Sequence, residues 1–112
     1  MAHRRAASNA SNARTVRDGL KELAALDAVF AALAHASRRQ VLQLLHLRGG
    51  SMTSREIADR FDCEWATMSR HFKVLVDAGL VIVAKRGRSR IYRLNRTAIT
   101  GPVKGWLKWI EG

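Results

Sequence analysis

Cysteine and acidic residues are scarce in this 112-residue chain, and each scarcity excludes a class of protein. The single cysteine, Cys63, permits no intrachain disulfide and no zinc site built from several cysteines, so a reducing cytosol fits best. The nine acidic residues show no pairing suited to acid-base catalysis, and no Ser/His/Asp grouping, glycine-rich phosphate loop or HExxH helix is present. We therefore expect no enzyme and no catalytic residue.

Long apolar runs are also missing. No stretch approaches the roughly 18 consecutive apolar residues that a membrane-spanning helix needs. Arg4 and Arg5 are followed by no apolar segment of the kind that directs secretion. We therefore expect a cytoplasmic protein that is neither exported nor embedded in a membrane.

Basic residues, in contrast, are abundant. The chain has 20 Lys and Arg against 9 Asp and Glu, which gives a formal net charge of +11 at pH 7. Such an excess favours a polyanionic partner, with nucleic acid ahead of an anionic membrane surface. Because hydrophobic residues still make up 47% of the chain, we expect a folded domain rather than a disordered basic tail. The length allows one domain with one function.

The chain divides into a short arm and one domain. Residues 1–14 show no apolar period, which predicts a flexible basic arm, either an unstructured leader or a segment that contacts phosphate or the minor groove. Residues 15–112 form the domain, and apolar residues at helical spacing predict one or two helices from about 15 to 35. Ser37 then caps a helix that a glycine pair ends. The residues of that helix that we expect to be buried are Val41, Leu42, Leu44, Leu45 and Leu47.

Two short helices follow. Thr53 and Glu56 have the spacing of a capping box, which predicts a helix over about 54 to 61. A tight turn leads into a second helix over 65–78, which Gly79 ends. Two such helices joined by a tight turn make a helix-turn-helix. The buried face of the second helix comprises Met68, Phe72, Leu75 and Val76.

The last third of the chain adds a hairpin and a helix. A β-branched run at 80–83 and an alternating run at 91–94 flank the basic, Gly-centred turn 85–90, which predicts a β-hairpin, or wing. Asn95 caps a final helix that has Pro102 in its first turn. The predicted fold class is mainly α with a small β-hairpin, a winged helix-turn-helix of order α-α-α-α-β-β-α.

The second helix of the motif carries polar side chains that packing does not use. Arginine can bind guanine bidentately, Ser and Thr can bond to base edges or phosphates, and methyl groups can contact thymine. In a helix-turn-helix the N-terminal half of this helix faces the bases. A polar face that merely contacts solvent is the alternative. The free side chains are Trp65, Ala66, Thr67, Ser69, Arg70, His71 and Lys73.

Specific runs of residues resemble a known family. Residues 69–81 (SRHFKVLVDAGLV) and 87–95 (GRSRIYRLN) resemble the ArsR-type family of bacterial winged-helix repressors, and residues 33–42 (LAHASRRQVL) resemble its second-helix signature. The similarity covers about residues 24–95. The resemblance implies DNA contacts from Ser54, Arg55, Trp65, Thr67, Ser69, Arg70, His71, Arg86, Arg88 and Arg90, and Lys73 joins them as a candidate from the same helix.

Many members of this family respond to metal ions, and this sequence departs from them. The region of the expected Cys-x-Cys pair holds Met52, Ser54 and Arg55, and the last helix has no Asp or His. Residues 103–110 resemble instead a metal-independent branch whose last helix joins the dimer interface. We therefore expect no metal and no cofactor. The predicted interface residues are Leu23, Leu26, Phe30, Val103, Trp106, Leu107, Trp109 and Ile110.

The predicted function is that of a homodimeric repressor in the bacterial nucleoid. It would bind a palindromic operator on double-stranded DNA through helix 65–78 and wing 85–90. One alternative is a sequence-indifferent architectural or RNA-binding protein that uses the same basic surface, and another is a winged helix that binds a second protein. Cys63, in the turn before the second helix, is either a plain turn residue or a redox-sensitive thiol.

Overall fold

The computed structural model describes the backbone of residues 2–112 and the side chains of residues 15–112. No helix in that part of the chain is long and apolar enough to cross a membrane. In chain order the elements are α1 (Ala2–Leu33), α2 (Ala36–Leu47), β1 (Ser51–Thr53), α3 (Ser54–Ala58), α4 (Trp65–Asp77), β2 (Val81–Arg86), β3 (Ser89–Leu94) and α5 (Arg96–Glu111).

The helical segment predicted from 15 to 35 is a single helix that ends at Leu33. Leu26, Val29 and Ala32 are spaced three residues apart, so they share one face, and all three are buried. Helix α1 begins at Ala2, so the backbone of residues 2–14, predicted as part of a flexible arm, is helical. The side chains of residues 1–14 lie outside the described residues, and a contact of this segment with phosphate or the minor groove stays a prediction.

The prediction that Ser37 caps α2 is wrong. His35 has the extended backbone of a cap residue (φ −113°, ψ 128°), and its Nδ1 accepts a hydrogen bond from the Ser37 amide at 3.3 Å. A ring nitrogen thus does what a hydroxyl or carboxylate oxygen usually does at this position. Of the apolar residues in α2, Val41, Leu42 and Leu45 are buried and Leu44 is half-buried, whereas Leu47 is 78% exposed at the end of the helix.

A short strand, β1, is absent from the predicted order of elements. It pairs antiparallel with β3 and places Met52 opposite Tyr92, and both side chains are buried. A strand of three residues is too short to show the alternation by which strands are recognised. Its pairing turns the predicted hairpin into a three-stranded antiparallel sheet of order β1-β3-β2.

The predicted capping box at the start of α3 is confirmed. Thr53 Oγ1 accepts a hydrogen bond from the Glu56 amide at 3.1 Å, and the Glu56 carboxylate accepts one from the Thr53 amide at 3.2 Å. Hydrogen bonding to the side chain and backbone of Thr53 lowers the pKa of Glu56. The helix ends at Ala58 and not near 61, because the amides of Arg60 and Phe61 bond three residues back rather than four.

Helix α4 and the hairpin follow the prediction closely. Helix α4 ends at Asp77, one residue before the predicted end, and Gly79 adopts a φ of 77° just beyond it. In the hairpin, Gly87 adopts a φ of 62° as the first residue of a two-residue turn between Arg86 and Ser89. Glycine takes this conformation without strain, so the sequence fits the turn that twisted hairpins favour.

One core joins the helices to the sheet. It draws on α1, α2, α3, α4 and all three strands, so the polar face of α4 and the wing are attached to the same packed interior. The buried members are Val29, Ala32, Val41, Leu42, Leu45, Met52, Ile57, Met68, Phe72, Leu75, Leu80, Val81 and Tyr92.

The prediction that Pro102 lies in the first turn of the last helix is wrong. Helix α5 begins at Arg96, so Pro102 lies in the second turn and has no amide to donate to the carbonyl of Ala98. Asn95 occupies the predicted cap position but makes no capping bond with its side chain. Its side-chain amide donates instead to the Gly79 carbonyl at 3.0 Å, which ties the start of α5 to the segment after α4.

The capping box can be tested by substitution. Thr53→Ala removes the hydroxyl that accepts the Glu56 amide, and we expect the free energy of unfolding to fall by about 1 kcal/mol in urea denaturation. Ser37→Ala is the control, because Ser37 contributes its amide and not its hydroxyl to the α2 cap. Equal losses in the two variants would contradict this account of the caps.

Candidate nucleic-acid interface

Helix α4 has one face in the core and one in solvent. Met68 is 0% exposed, Phe72 3% and Leu75 1%, so three anchors hold one side of the helix. Because they lie along one stripe, α4 cannot rotate about its axis without uncovering them. Ser69 and Arg70 are exposed and Thr67 is half-buried. For these residues the predicted division of the helix into a packed face and a free polar face agrees with the structure.

His71, predicted to face outward, is buried and only 7% exposed. It lies about 100° around the helix from Arg70, and its ring meets residues at the start of α2. The Arg38 guanidinium lies 3.3 Å from its Nδ1, and the His35 ring centroid lies 4.5 Å from its own. The prediction that His71 points outward is therefore wrong, since protein groups already cover its ring.

The surroundings of His71 favour its neutral form. Burial lowers its pKa below the usual 6.5, and the nearby His35, Arg38 and Arg70 lower it further. Since arginine has donors and no acceptor, the contact with Arg38 requires an unprotonated Nδ1. Sequence reasoning missed Arg38 as a partner of α4, although the adjacent arginines at the start of α2 were visible within the family-like run.

The N-terminal end of α4 is open to a ligand. Trp65 is 57% exposed, and its ring meets that of Phe72 edge-on with centroids 6.2 Å apart. Glu64 occupies the cap position without a side-chain hydrogen bond to the helix, so its carboxylate leaves the first-turn amides uncapped. In the preceding helix Arg55 is exposed and Ser54 is half-buried.

Lys73 differs from the candidate arginines because it forms a salt bridge within the described part of the chain. Its Nζ lies 2.9 Å from Oδ2 of Asp77, one turn further along α4. The two side chains are 75% and 62% exposed, and an ion pair this open contributes little to stability. The carboxylate nevertheless offsets the positive charge that Lys73 would offer to a phosphate.

The cations of the wing are exposed and unpaired. Arg86, Arg88 and Arg90 all lie in solvent, and Lys85 is directly opposite Arg90 in the β2–β3 register. Like charges placed opposite each other destabilise a hairpin, and within residues 15–112 none of these cations forms a salt bridge. A bound anion would offset this repulsion. Lys85 lies within the predicted wing 85–90 but is not among the individual contacts predicted from the sequence, although the spacing around Gly87 places it across from Arg90.

An aromatic contact joins the wing to α4. Tyr92 of β3 packs against Phe72 with ring centroids 4.6 Å apart and the planes tilted by 30°. Tyr92 is 5% exposed, so the pair belongs to the core. The polar face of α4 and the basic hairpin are therefore held together as one packed unit.

A second surface lies between α1 and α5. Phe30 and Trp106 meet edge to face at 5.5 Å, and beside them runs an open, mainly apolar groove of about 950 Å³. Of the predicted interface residues, Leu26 is buried within the chain and Val103 is half-buried against the core, so these two hold the helices in place. The exposed members are Leu23, Phe30, Trp106, Leu107, Trp109 and Ile110.

Within the described part of the chain, no three His, Cys, Asp or Glu residues come together as a metal site would require. Nδ1 of His46 lies 2.7 Å from a terminal guanidinium nitrogen of Arg96, and the rings of His35 and His71 face each other. Cys63 is exposed in the turn before α4. Independence from metal stays a prediction.

This chain is similar to known regulators. A family model described as a helix-turn-helix domain matches residues 33–84, from the end of α1 into β2. The transcriptional repressor SdpR of Bacillus subtilis (strain 168) is 31% identical over 83 residues, which cover 74% of this chain and 90% of that protein.

Solved structures share the fold. The crystal structure of an ArsR family transcriptional regulator matches with a TM-score of 0.69 and 32% identity over 78% of this chain and 87% of that one. The solution structure of a homodimeric winged helix-turn-helix DNA-binding domain of Mycobacterium bovis matches with a TM-score of 0.62 and 26% identity. The match covers 80% of this chain and 82% of that one. These likenesses confirm the predicted winged helix-turn-helix fold.

The wing can be tested through the salt dependence of DNA binding. Arg88→Gln removes one unpaired charge, and we expect the slope of log affinity against log salt concentration on random duplex DNA to become shallower by about 1. Lys108→Gln, which removes the same charge from α5, is the control and should leave the slope unchanged. An unaltered slope in Arg88→Gln would contradict contact between the wing and phosphate.

Proposed function

The chain belongs to the ArsR family of helix-turn-helix transcriptional regulators, and we propose that it is a sequence-specific DNA-binding repressor that acts as a homodimer. One observation carries the proposal. The core fixes the rotation of α4, so that Ser69 and Arg70 project from its free face, on a unit shared with a hairpin of unpaired cations. A polar helix face and a basic wing held in one unit suit simultaneous contact with base edges and phosphates.

Arg70 is the residue that we assign to base recognition. Its guanidinium can donate two parallel hydrogen bonds to O6 and N7 of guanine, the commonest specific contact in the major groove. Ser69 and Thr67 can bond to base edges or phosphates, and the Thr67 methyl group can contact thymine. The exposed ring of Trp65 supplies an apolar surface at the end of α4 that would enter the groove.

Phosphate contacts would position α4 on the duplex. We assign them to Arg86, Arg88 and Arg90 in the wing and to Arg55 at the start of α3, with a weaker contribution from Lys73 because of its ion pair with Asp77. The half-buried Ser54 hydroxyl can add a neutral hydrogen bond to the backbone. Since phosphates carry no sequence information, the wing supplies affinity and α4 supplies specificity.

The groove between α1 and α5 is where we place the second copy of the chain. Exposed apolar surface of this kind on a small domain typically marks an interface, and the solved Mycobacterium bovis relative is described as homodimeric. A two-fold dimer requires an operator with two inverted half-sites about 34 Å apart. Occupancy of such a site would block RNA polymerase.

The unpaired charge of the wing favours a second candidate, an architectural protein that binds nucleic acid without sequence preference. Such a protein would show steep salt dependence and no preferred site. In either case we propose that the chain acts on DNA in the bacterial nucleoid, without catalysis and without a bound metal or cofactor.

Selection of bound genomic fragments, followed by sequencing, tests the proposal. We expect a discrete inverted repeat. On that site Arg70→Ala should cost about 1 to 3 kcal/mol of binding free energy, and much less on random DNA, because Arg70 loses a base contact. Lys73→Ala is the matched control from the same helix. It should weaken binding to the selected site and to random DNA by similar, small factors.

Two outcomes would contradict base recognition by α4. Recovery of fragments without a shared site would favour the architectural candidate. Equal losses for Arg70→Ala on the selected site and on random DNA would show that Arg70 contacts phosphate only.

The interface can be tested without DNA. Leu23→Glu places a charge in the α1–α5 groove, and we expect it to shift the protein from dimer to monomer in sedimentation equilibrium, because burying an unpaired carboxylate is costly. Leu47→Glu makes the same change at a residue that is 78% exposed and outside the groove, and the dimer should persist. A dimer unaffected by Leu23→Glu would contradict the assigned interface.

A further inference from the structure

Arg38 forms hydrogen bonds to two helices other than its own. Its Nε donates to the Ala32 carbonyl at 2.7 Å, and one terminal nitrogen donates to the Ala31 carbonyl at 3.1 Å. The other terminal nitrogen lies 3.3 Å from Nδ1 of His71. Each nitrogen of the planar guanidinium thus has its own acceptor, so the fork is fixed in one orientation.

The two carbonyls belong to the last turn of α1, beyond which the i+4 helical amides are missing. The Ala31 carbonyl also accepts from the Ala34 amide at 3.3 Å. A cation at this end also interacts favourably with the helix dipole. Arg39 makes a similar contact at the same end, because one terminal nitrogen donates to the Leu33 carbonyl at 2.6 Å. Arg39 differs from Arg38 in making no hydrogen bond to α4, which provides a matched comparison.

His71 is the point at which this network reaches the DNA-facing helix. It is buried on α4 immediately after Arg70, the residue assigned to base recognition. The titratable and charged groups that act on it are His35 and Arg38 from the start of α2, and Arg70 from α4 itself. All three groups disfavour a positive charge on His71. This agrees with a neutral ring whose Nδ1 accepts a hydrogen bond from Arg38.

We propose that Arg38 is a positioning residue for DNA recognition: within the orientation that the core imposes on α4, its contact with His71 refines the rotation of α4 relative to the end of α1, and so the direction of Arg70. The proposal rests on the proposed function of α4. The apolar anchors decide which face of α4 is buried, and the directional hydrogen bond to a fixed guanidinium adds one preferred geometry within that limit. Since Phe30 directly precedes Ala31 and Ala32 and lies at the proposed dimer interface, the same link connects that interface to α4.

Acid should break the contact between Arg38 and His71. The direction in which DNA binding then changes distinguishes protonation of His71 from protonation elsewhere. Protonated His71 cannot accept from Arg38, so specificity should be lost as the pH falls through its pKa, which lies below 6.5. The folded state should lose stability as the pH falls from about 6.5 toward that lower pKa, because over this interval the unfolded chain takes up the proton more readily. Protonation elsewhere on the surface would strengthen DNA binding instead, since it adds positive charge.

The experiment compares Arg38→Lys with Arg39→Lys. Lysine keeps the charge, but its single nitrogen cannot reproduce the planar fork whose three nitrogens each reach a different acceptor. We expect the ratio of affinity for the selected site to affinity for random DNA to fall on the order of tenfold in Arg38→Lys at pH 7.5 and to change little in Arg39→Lys. Equal ratios in the two variants would overturn the proposal.

A pH profile from 7.5 to 5 is the second arm. In the unmodified protein the specificity ratio should stay constant above pH 6.5 and then fall with the pKa of His71 measured by NMR. In His71→Gln, whose amide oxygen can still accept from Arg38, the ratio should stay flat, and His46→Gln should behave like the unmodified protein. A ratio that does not follow the titration of His71 would overturn the proposal.

A third arm needs no DNA and separates this proposal from the proposed function. Hydrogen exchange of the α4 amides around His71 should be faster in Arg38→Lys than in Arg39→Lys. If the unmodified protein prefers no DNA sequence, the proposed function fails while this arm still reports on the link. Unchanged exchange in Arg38→Lys would show that Arg38 does not hold α4.

Discussion

The burial of one stripe of α4 is the constraint on which the rest of the structure depends. Met68, Phe72 and Leu75 lie along that stripe and are almost fully covered. Their burial fixes the helix in position and, because packing in a core is dense, also in rotation. The free face, the wing that Phe72 holds through Tyr92 and the contact with α2 all follow from that orientation.

Much of this could be predicted from the sequence because the relevant signals are local. Apolar residues at helical spacing predicted the buried face of α4, the Thr53 and Glu56 pair predicted a real capping box, and the glycine-centred basic turn predicted the hairpin. Net charge and family-like runs then indicated a nucleic-acid partner. The helical spacing, the capping pair and the glycine-centred turn each lie within a few residues of the structure that they specify.

The predictions that were wrong depend on contacts between residues distant in sequence. Strand β1 exists because Met52 is covered by Tyr92, forty positions away, and His71 is buried because α2 brings His35 and Arg38 to it. The cap of α2 is of a different kind, because the contact is local: His35, rather than Ser37, caps the helix through a ring nitrogen, where a hydroxyl or carboxylate oxygen is usual. On the surface of an isolated helix His71 would be one more polar residue, and only the packed neighbour shows that it is an acceptor inside the protein.

We assign base recognition to the free face of α4 in the major groove. Protection of a bound operator from dimethyl sulfate tests that assignment most directly. The reagent methylates guanine N7 in the major groove, the atom to which Arg70 would donate. We predict N7 protection at guanines in two patches about one helical turn apart, and loss of that protection in Arg70→Ala. Full methylation of every guanine in a tightly bound operator would contradict the account.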